Sequence, residues 1–225
     1  MKEPISEVFN VDCMEYMKTI PDKFFDLAVI DPPYGIADNP SRHKGNGTLR
    51  NRFLNKNADT FAKWDVLPAK EYFDELFRVS KNQIIWGGNY FKLDRCRCFV
   101  IWDKEQPFQN FSACEYAWTS FNLPAKIYKE ATTRTGEKKI HPTQKSVKLY
   151  RYLLSEFTKQ GDKIFDSHMG SQSSRIAAYQ LGFDYYGCEI DENYFSSGNE
   201  RFERECQGIT TMKDGRRLTQ TKLPF

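Results

Sequence analysis

An acid closes a short apolar run in the stretch DLAVIDPPYG, residues 26–35, and two prolines and a tyrosine follow it. Leu27 to Ile30 is a continuous apolar run, too short for a helix, and reads as a buried strand. Pro32 ends that strand, because proline lacks an N–H and its ring fixes φ. Asp31 therefore stands at the carboxyl end of a strand, on a stiff turn. In an open α/β sheet this is the edge where ligands bind. A second stretch, IFDSHMGSQSSRIAA (residues 164–178), runs from an apolar segment ending at Asp166 through small residues into a helix near Ser173. Glycine in such a loop lets a ligand approach the backbone, and the helix N-terminus offers unpaired N–H groups. Glu189 closes the next apolar run, GCEID, 23 residues after Asp166. An acid at that place accepts hydrogen bonds from ribose hydroxyls. The loop has one glycine, Gly170, where a dinucleotide fingerprint needs three, so the pattern is nucleotide-like without being a dinucleotide motif.

These residues need elements to hold them. Strands are expected at 8–10, at 26–31, in NQIIWGGNYF up to Gly87 and Gly88, in CFVIWDK, in CEYAWTSF, in DKIFDSHMG and in FDYYGCEID. Helices are expected from Asp12, which serves as N-cap, over AKEYFDELFRVS, over SVKLYRYLLSEFTKQ closing at Gly161, over SSRIAAYQLG ending at Gly182, and over about 192–206. Strands and helices that alternate at these lengths predict an α/β fold with a mostly parallel doubly wound sheet. No repeat or shift of composition marks a second domain, so residues 1–225 read as a single domain. Residues 35–65 and 122–140 are polar, basic and without a period, and 207–225 reads as a C-terminal tail.

The composition agrees with one globular domain: 225 residues, 40% hydrophobic and 28% charged, with a net charge of +3. That charge permits a nucleic-acid partner without requiring one. The six cysteines lack zinc-ligand spacing and there are only three histidines, so no metal site is expected. The N-terminal residues carry no apolar run of signal-peptide length and no stretch reaches the length of a membrane span, so reduced thiols and a cytoplasmic location are expected.

Taken together, DPPY (Asp31, Pro32, Pro33, Tyr34) and FDSHMGS resemble the amino-methyltransferases that use S-adenosylmethionine to methylate adenine N6 or cytosine N4 in DNA. NVDCMEYM, HPTQKSVKLYRYL and DYYGCEIDENYF resemble further segments of that family, in one consistent order from about Asn10 to Phe202. The catalytic motif comes first and the cofactor loop last, which resembles the beta group. The implied fold is the Rossmann-like S-adenosylmethionine-dependent methyltransferase fold with a circularly permuted motif order, entered at its third strand and left at its second.

The resemblance also implies roles. Asp31, Pro32, Pro33 and Tyr34 form the catalytic set. The Asp31 carboxylate and the Pro32 carbonyl would accept the two N–H groups of the target amine, and Tyr34 would stack on a base taken out of the duplex. S-adenosylmethionine would lie against Asp12 and Cys13 at its adenine, Glu189 at its ribose, and Asp166, Ser167, His168, Gly170 and Ser171 at its methionine half. Thr143 and Lys145 would meet its carboxylate, and Asp31 is counted among the cofactor contacts as well. Double-stranded DNA is the implied partner, through Arg42, Lys44, Arg50, Arg52 and Lys56 in the first basic stretch and Arg134, Lys138 and Lys139 in the second. A homodimer sharing the recognition task and a partner restriction endonuclease belong to the same picture.

An Asp as first letter of the motif resembles the adenine-directed members, so N6 of adenine is the expected target. Cytosine N4, an RNA substrate, and a catalytically weak DNA-binding relative are the alternatives. The last is raised by Gln172, which stands where the family usually has glycine. There it is expected to crowd the cofactor, so that Gln172→Gly tightens cofactor binding.

Overall fold

Side chains of successive strand residues point to opposite faces, so a strand buried on both sides must be apolar throughout. The central strand obeys this rule. Leu27 and Val29 face one core, shared with Ile84, Trp86, Val100 and Ile164, and Ala28 and Ile30 face the other, shared with Phe25, Ile85 and Phe165. The computed structural model of the protein describes residues 3–36, 65–106, 112–131, 136–212 and 214–219.

In chain order the elements are β1 (Ser6–Phe9), α1 (Cys13–Lys18), β2 (Phe25–Ile30), α2 (Lys70–Val79), β3 (Ser80–Trp86), β4 (Phe99–Asp103), β5 (Cys114–Thr119), β6 (Lys126–Lys129), α3 (Val147–Phe157), β7 (Lys163–Asp166), α4 (Ser173–Leu181), β8 (Asp184–Cys188), α5 (Glu192–Phe202), β9 (Ile209–Thr211) and β10 (Arg217–Thr219). Eight strands form one sheet in the order β1-β8-β7-β2-β3-β5-β4-β6. β5 alone runs against its neighbours, and the other pairings are parallel. Helices α3 and α4 pack on one face, and α1 and α2 on the other.

This is the Rossmann-like methyltransferase fold, with the permuted order that the motifs imply. The strand before the glycine loop, β7, lies at the centre beside β2. β8 and then β1 complete that half, so the first strand of the chain pairs with the last strand of the large sheet. Because β2 and β7 are adjacent and parallel, Asp31 and the loop from Asp166 emerge side by side at one sheet edge.

Local signals set most helix ends. The side chains of Asp12, Ser146 and Asp191 accept from the first-turn N–H groups of α1, α3 and α5. Gly182 ends α4 at φ 78°. Three expectations need correction. Helix α3 stops at Phe157 and does not reach Gly161; Thr158 is extended, and its hydroxyl bonds back to the carbonyl of Leu154. The segment 122–140 is not wholly irregular, since β6 lies within it and pairs with β4. Residues 207–225 are not a plain tail, because β9 and β10 form an antiparallel hairpin. The three strands missed in advance are short and half or fully exposed, so they carry little apolar signal. Among the described residues no helix is long and apolar enough to cross a membrane.

Candidate active site

Three successive N–H groups shape the turn after β2. Those of Tyr34 and Gly35 both donate to Oδ1 of Asp65 at 2.9 Å, and that of Ile36 donates to Oδ2 at 2.8 Å. Gly35 takes φ 64°, which lets the N–H groups converge on one anion. Asp65 is thus a buried clamp on the DPPY turn. It stands 30 residues beyond Gly35 in sequence, with no local motif to reveal it.

The Asp31 carboxylate is held from two sides. The Tyr34 hydroxyl donates to Oδ1 at 2.5 Å, and the Lys145 ammonium contacts Oδ2. Burial, then the Asp31 charge, pushes the Tyr34 hydroxyl well above its ordinary value, so it remains a donor. The Tyr34 ring stacks on Tyr90 with centroids 5.0 Å apart and planes 19° apart. It also lies against Gly87, where a Cβ would come within 2.3 Å of it. The GG dipeptide after β3 therefore makes room for Tyr34, and Tyr90 is an aromatic partner that the sequence reading missed. Asp31, Pro32, Pro33 and Tyr34 are gathered on one turn, but the Tyr34 ring already has a stacking partner.

The neighbouring cleft is lined by Val11, Asp12, Cys13, Ser167, His168, Glu189 and Ile190. It brings together residues from the starts and ends of the chain, as β1, β7 and β8 are adjacent. Glu189 accepts from the Gly170 N–H at 2.7 Å and the Asp191 N–H at 2.9 Å. Burial outweighs these bonds and raises its pKa. Burial pushes the Cys13 thiol up to about 12, so it stays protonated in the cleft. His168 is pushed down to about 4 by burial and is neutral near pH 7. Its Nδ1 lies 2.9 Å from the Ser167 hydroxyl, which in turn lies 2.6 Å from the Tyr72 hydroxyl of α2. Asp166 faces the loop instead of the cleft. It accepts from the Ser174 hydroxyl at 2.6 Å and the His168 N–H at 3.0 Å, and burial raises it to about 7.

Ser171 is also turned inward. Its hydroxyl lies 3.1 Å from that of Ser173, and its carbonyl accepts from the buried Arg201 guanidinium at 3.1 Å. The HPTQK segment arrives differently from expectation. Thr143 is exposed and bonds to His141 Nδ1, while the His141 ring packs over Gly170. Lys145 is directed to Asp31, with its ammonium also 3.2 Å from Glu115, and is not among the residues lining the cleft. A buried ammonium needs anions, and the nearest are those two carboxylates.

Gln172 corrects a specific expectation. It adopts φ 59° and is fully buried, yet it neither faces solvent nor crowds the cleft. Its amide N–H groups donate to the Phe195 carbonyl and Asn199 Oδ1 at 3.2 Å, and its oxygen accepts from Arg175 at 2.8 Å. A Cβ on Gly198 would strike this side chain at 2.6 Å, so the helix keeps a glycine to receive it. The glutamine ties the loop to α5. Gln172→Gly relieves the positive φ but removes three hydrogen bonds, one buried and two partly buried, each worth about 0.5–1.5 kcal/mol net. A net loss of about 1–2 kcal/mol should lower Tm by roughly 3–6 °C. Cofactor affinity is expected not to increase; tighter binding in a calorimetric titration of Gln172→Gly would refute this assignment.

Of the basic residues expected at DNA, Lys138 and Lys139 are exposed. Arg42, Lys44, Arg50, Arg52, Lys56 and Arg134 lie outside the described residues.

The permuted sheet, the acid-Pro-Pro-Tyr turn and the adjoining cleft define the class of Rossmann-like methyltransferases. The family model described as DNA methylase matches residues 98–200. The chain is 26% identical over 264 residues to the type II methyltransferase M.HinfI of Haemophilus influenzae, covering 89% of this chain and 70% of that protein. It is 28% identical over 138 residues to the type II methyltransferase M2.DpnII of Streptococcus pneumoniae, covering 61% of this chain and 48% of that protein. Among solved structures, the M1.HpyAVI–SAM complex superposes with a TM-score of 0.55 at 19% identity, covering 87% of this chain and 98% of that one. These matches support a place in the DNA amino-methyltransferase family.

Proposed function

We propose that this chain is an S-adenosylmethionine-dependent DNA methyltransferase that methylates N6 of an adenine taken out of the duplex. The observation that supports it most is the position of Asp31: a carboxylate braced on both oxygens, on a rigid turn, beside a cleft suited to a nucleoside. The cleft's donor set fits the cofactor. Glu189 keeps lone pairs for a ribose diol, Asp12 lies close by, and Val11 with the 65% exposed Ile190 offers apolar surface for a purine. When bound, S-adenosylmethionine supplies the electrophilic methyl group.

The exocyclic amine is a weak nucleophile, since its lone pair is delocalised into the ring. Asp31 and the Pro32 carbonyl accept its N–H bonds and so turn the lone pair toward the methyl carbon. Aim governs the rate, and the prolines, the Asp65 clamp and the Tyr34 hydroxyl all restrain the turn. Tyr34 and Tyr90 supply an aromatic surface where the base leaves the stack, and base–aromatic stacking is worth about 1–3 kcal/mol against the cost of flipping. The chain acts as one catalytic domain, with residues 35–65 and 122–140 providing the basic contacts to DNA. Adenine is favoured over cytosine because an Asp at the head of the motif resembles the adenine-directed members of a family that contains enzymes of both kinds.

Incubating the protein with methyl-labelled S-adenosylmethionine and double-stranded DNA, then digesting to nucleosides, is the test. N6-methyldeoxyadenosine is the expected product. N4-methyldeoxycytidine would move the target to cytosine, and label in RNA alone would move the substrate class. DNA binding without transfer would identify a catalytically inert relative.

A further inference from the structure

We infer that Lys145 is a positioning residue for the Asp31 carboxylate, a buried cation that holds it in its accepting orientation and is itself balanced by Glu115. The inference rests on the reading of Asp31 as the acceptor for the target amine.

The Lys145 side chain is 3% exposed and comes from the segment just before α3, 114 residues from Asp31. Its ammonium contacts Asp31 Oδ2, lies 3.2 Å from Glu115 Oε2 on β5, and sits 5.1 Å from the Trp86 ring centroid. The other Glu115 oxygen pairs with Lys104 at 2.5 Å. Asp31, Lys145, Glu115 and Lys104 thus alternate in sign across four separate chain segments, with no net charge. Such a row is costly to bury unless each charge has its partner, and here each one does. Burial opposes the Lys145 charge, but Asp31 and Glu115 outweigh it and raise its pKa; burial likewise works against Glu115, and Lys145 and Lys104 lower it.

The geometry does more than neutralise. Tyr34 holds Oδ1 and Lys145 holds Oδ2, so the carboxylate plane cannot turn without losing one of them. Each oxygen still has a lone pair for an incoming N–H. Lys145 does not line the cleft, so its pairing with Asp31 accounts for its position better than a contact with the cofactor does.

Lys145→Met keeps most of the stem and removes the charge. The double variant Lys145→Met/Glu115→Gln removes one charge of each sign, which guards against simple misfolding. Losing a cation in contact with a carboxylate favours the protonated acid. A protonated Asp31 would donate where it must accept. Other groups around this pair remain in both variants: Tyr34 on the same turn, Tyr150 on α3, Asp166 after β7, His141 beside Lys145, and Lys104.

The experiment measures kcat against pH, S-adenosylmethionine affinity by calorimetry, and Tm, for the parent, both variants and Asp31→Asn. Lys145→Met should lower kcat by about 30-fold with cofactor Kd changed less than about twofold. The acid limb of its kcat profile should move to higher pH, and the double variant should show the same kinetics with a parent-like Tm. A tenfold loss of cofactor affinity with near-normal kcat would overturn the inference and place Lys145 at the cofactor. So would a fall in kcat with an unmoved acid limb in a double variant that melts like the parent. Normal kcat in Lys145→Met beside an inactive Asp31→Asn would refute this inference alone, whereas an active Asp31→Asn would refute the reading on which it rests.

Discussion

Asp31→Asn is expected to lower kcat for methyl transfer by about 10²- to 10³-fold while leaving cofactor Kd within about threefold. The side-chain volume is nearly unchanged, so the turn and its bonds to the Asp65 clamp should survive. What changes is chemistry. One carboxylate oxygen becomes an NH₂ group, which donates where an acceptor is needed. Asn would also leave Lys145 with Glu115 as its one carboxylate partner among the described contacts. A loss of 10²-fold corresponds to about 2.7 kcal/mol of transition-state stabilisation, within the range for removal of one charge-matched group. The cofactor cleft is lined by other residues, so binding there should persist. Single-turnover transfer with saturating cofactor is the measurement. Turnover within about threefold of the parent would remove Asp31 from the acceptor role.

Asp65→Ala is the second large effect, at about 10²-fold in kcat. Asp65 touches no proposed reacting atom. It receives the N–H groups of Tyr34, Gly35 and Ile36, and hydrogen bonds to a charged acceptor are worth about 1.5–3 kcal/mol each. Without it the positive-φ turn at Gly35 loses its anion, and the Pro33–Ile36 backbone can drift. A drift of about 1 Å is enough to cost a hundredfold when aim sets the rate. Asp65→Asn keeps an acceptor oxygen and should recover part of the activity. Kinetics of both variants decide the matter; an Asp65→Ala protein as active as the parent would show that the turn holds itself.

The acid-Pro-Pro-Tyr turn, the glycine loop and the acid at Glu189 were all legible in the sequence because each is a local signal. An apolar run ending on an acid marks a strand terminus whatever surrounds it. Small residues before a helical period mark a strand-to-helix turn. The alternation of strands and helices predicted a mostly parallel sheet, and the permuted order was implied by the resemblance of the motif order to the beta group of amino-methyltransferases. The sequence also showed that Gln172 departs from the family, but not where its side chain goes.

Contacts across long sequence separations were decided only in three dimensions. Asp65 reaches the turn from beyond a basic stretch, Lys145 meets Asp31 from the segment just before α3, and Glu115 on β5 meets Lys145. No periodicity encodes such meetings, because they depend on which strands lie side by side. Gln172 is explained in the same way: α5 carries Gly198 and Asn199 at the place where the glutamine needs space and a partner. The sequence by itself determined which residues stand at the sheet's carboxyl edge. The tertiary structure decided which of them share charge, because a buried cation takes the nearest anions that packing provides, and that distance is set by the fold.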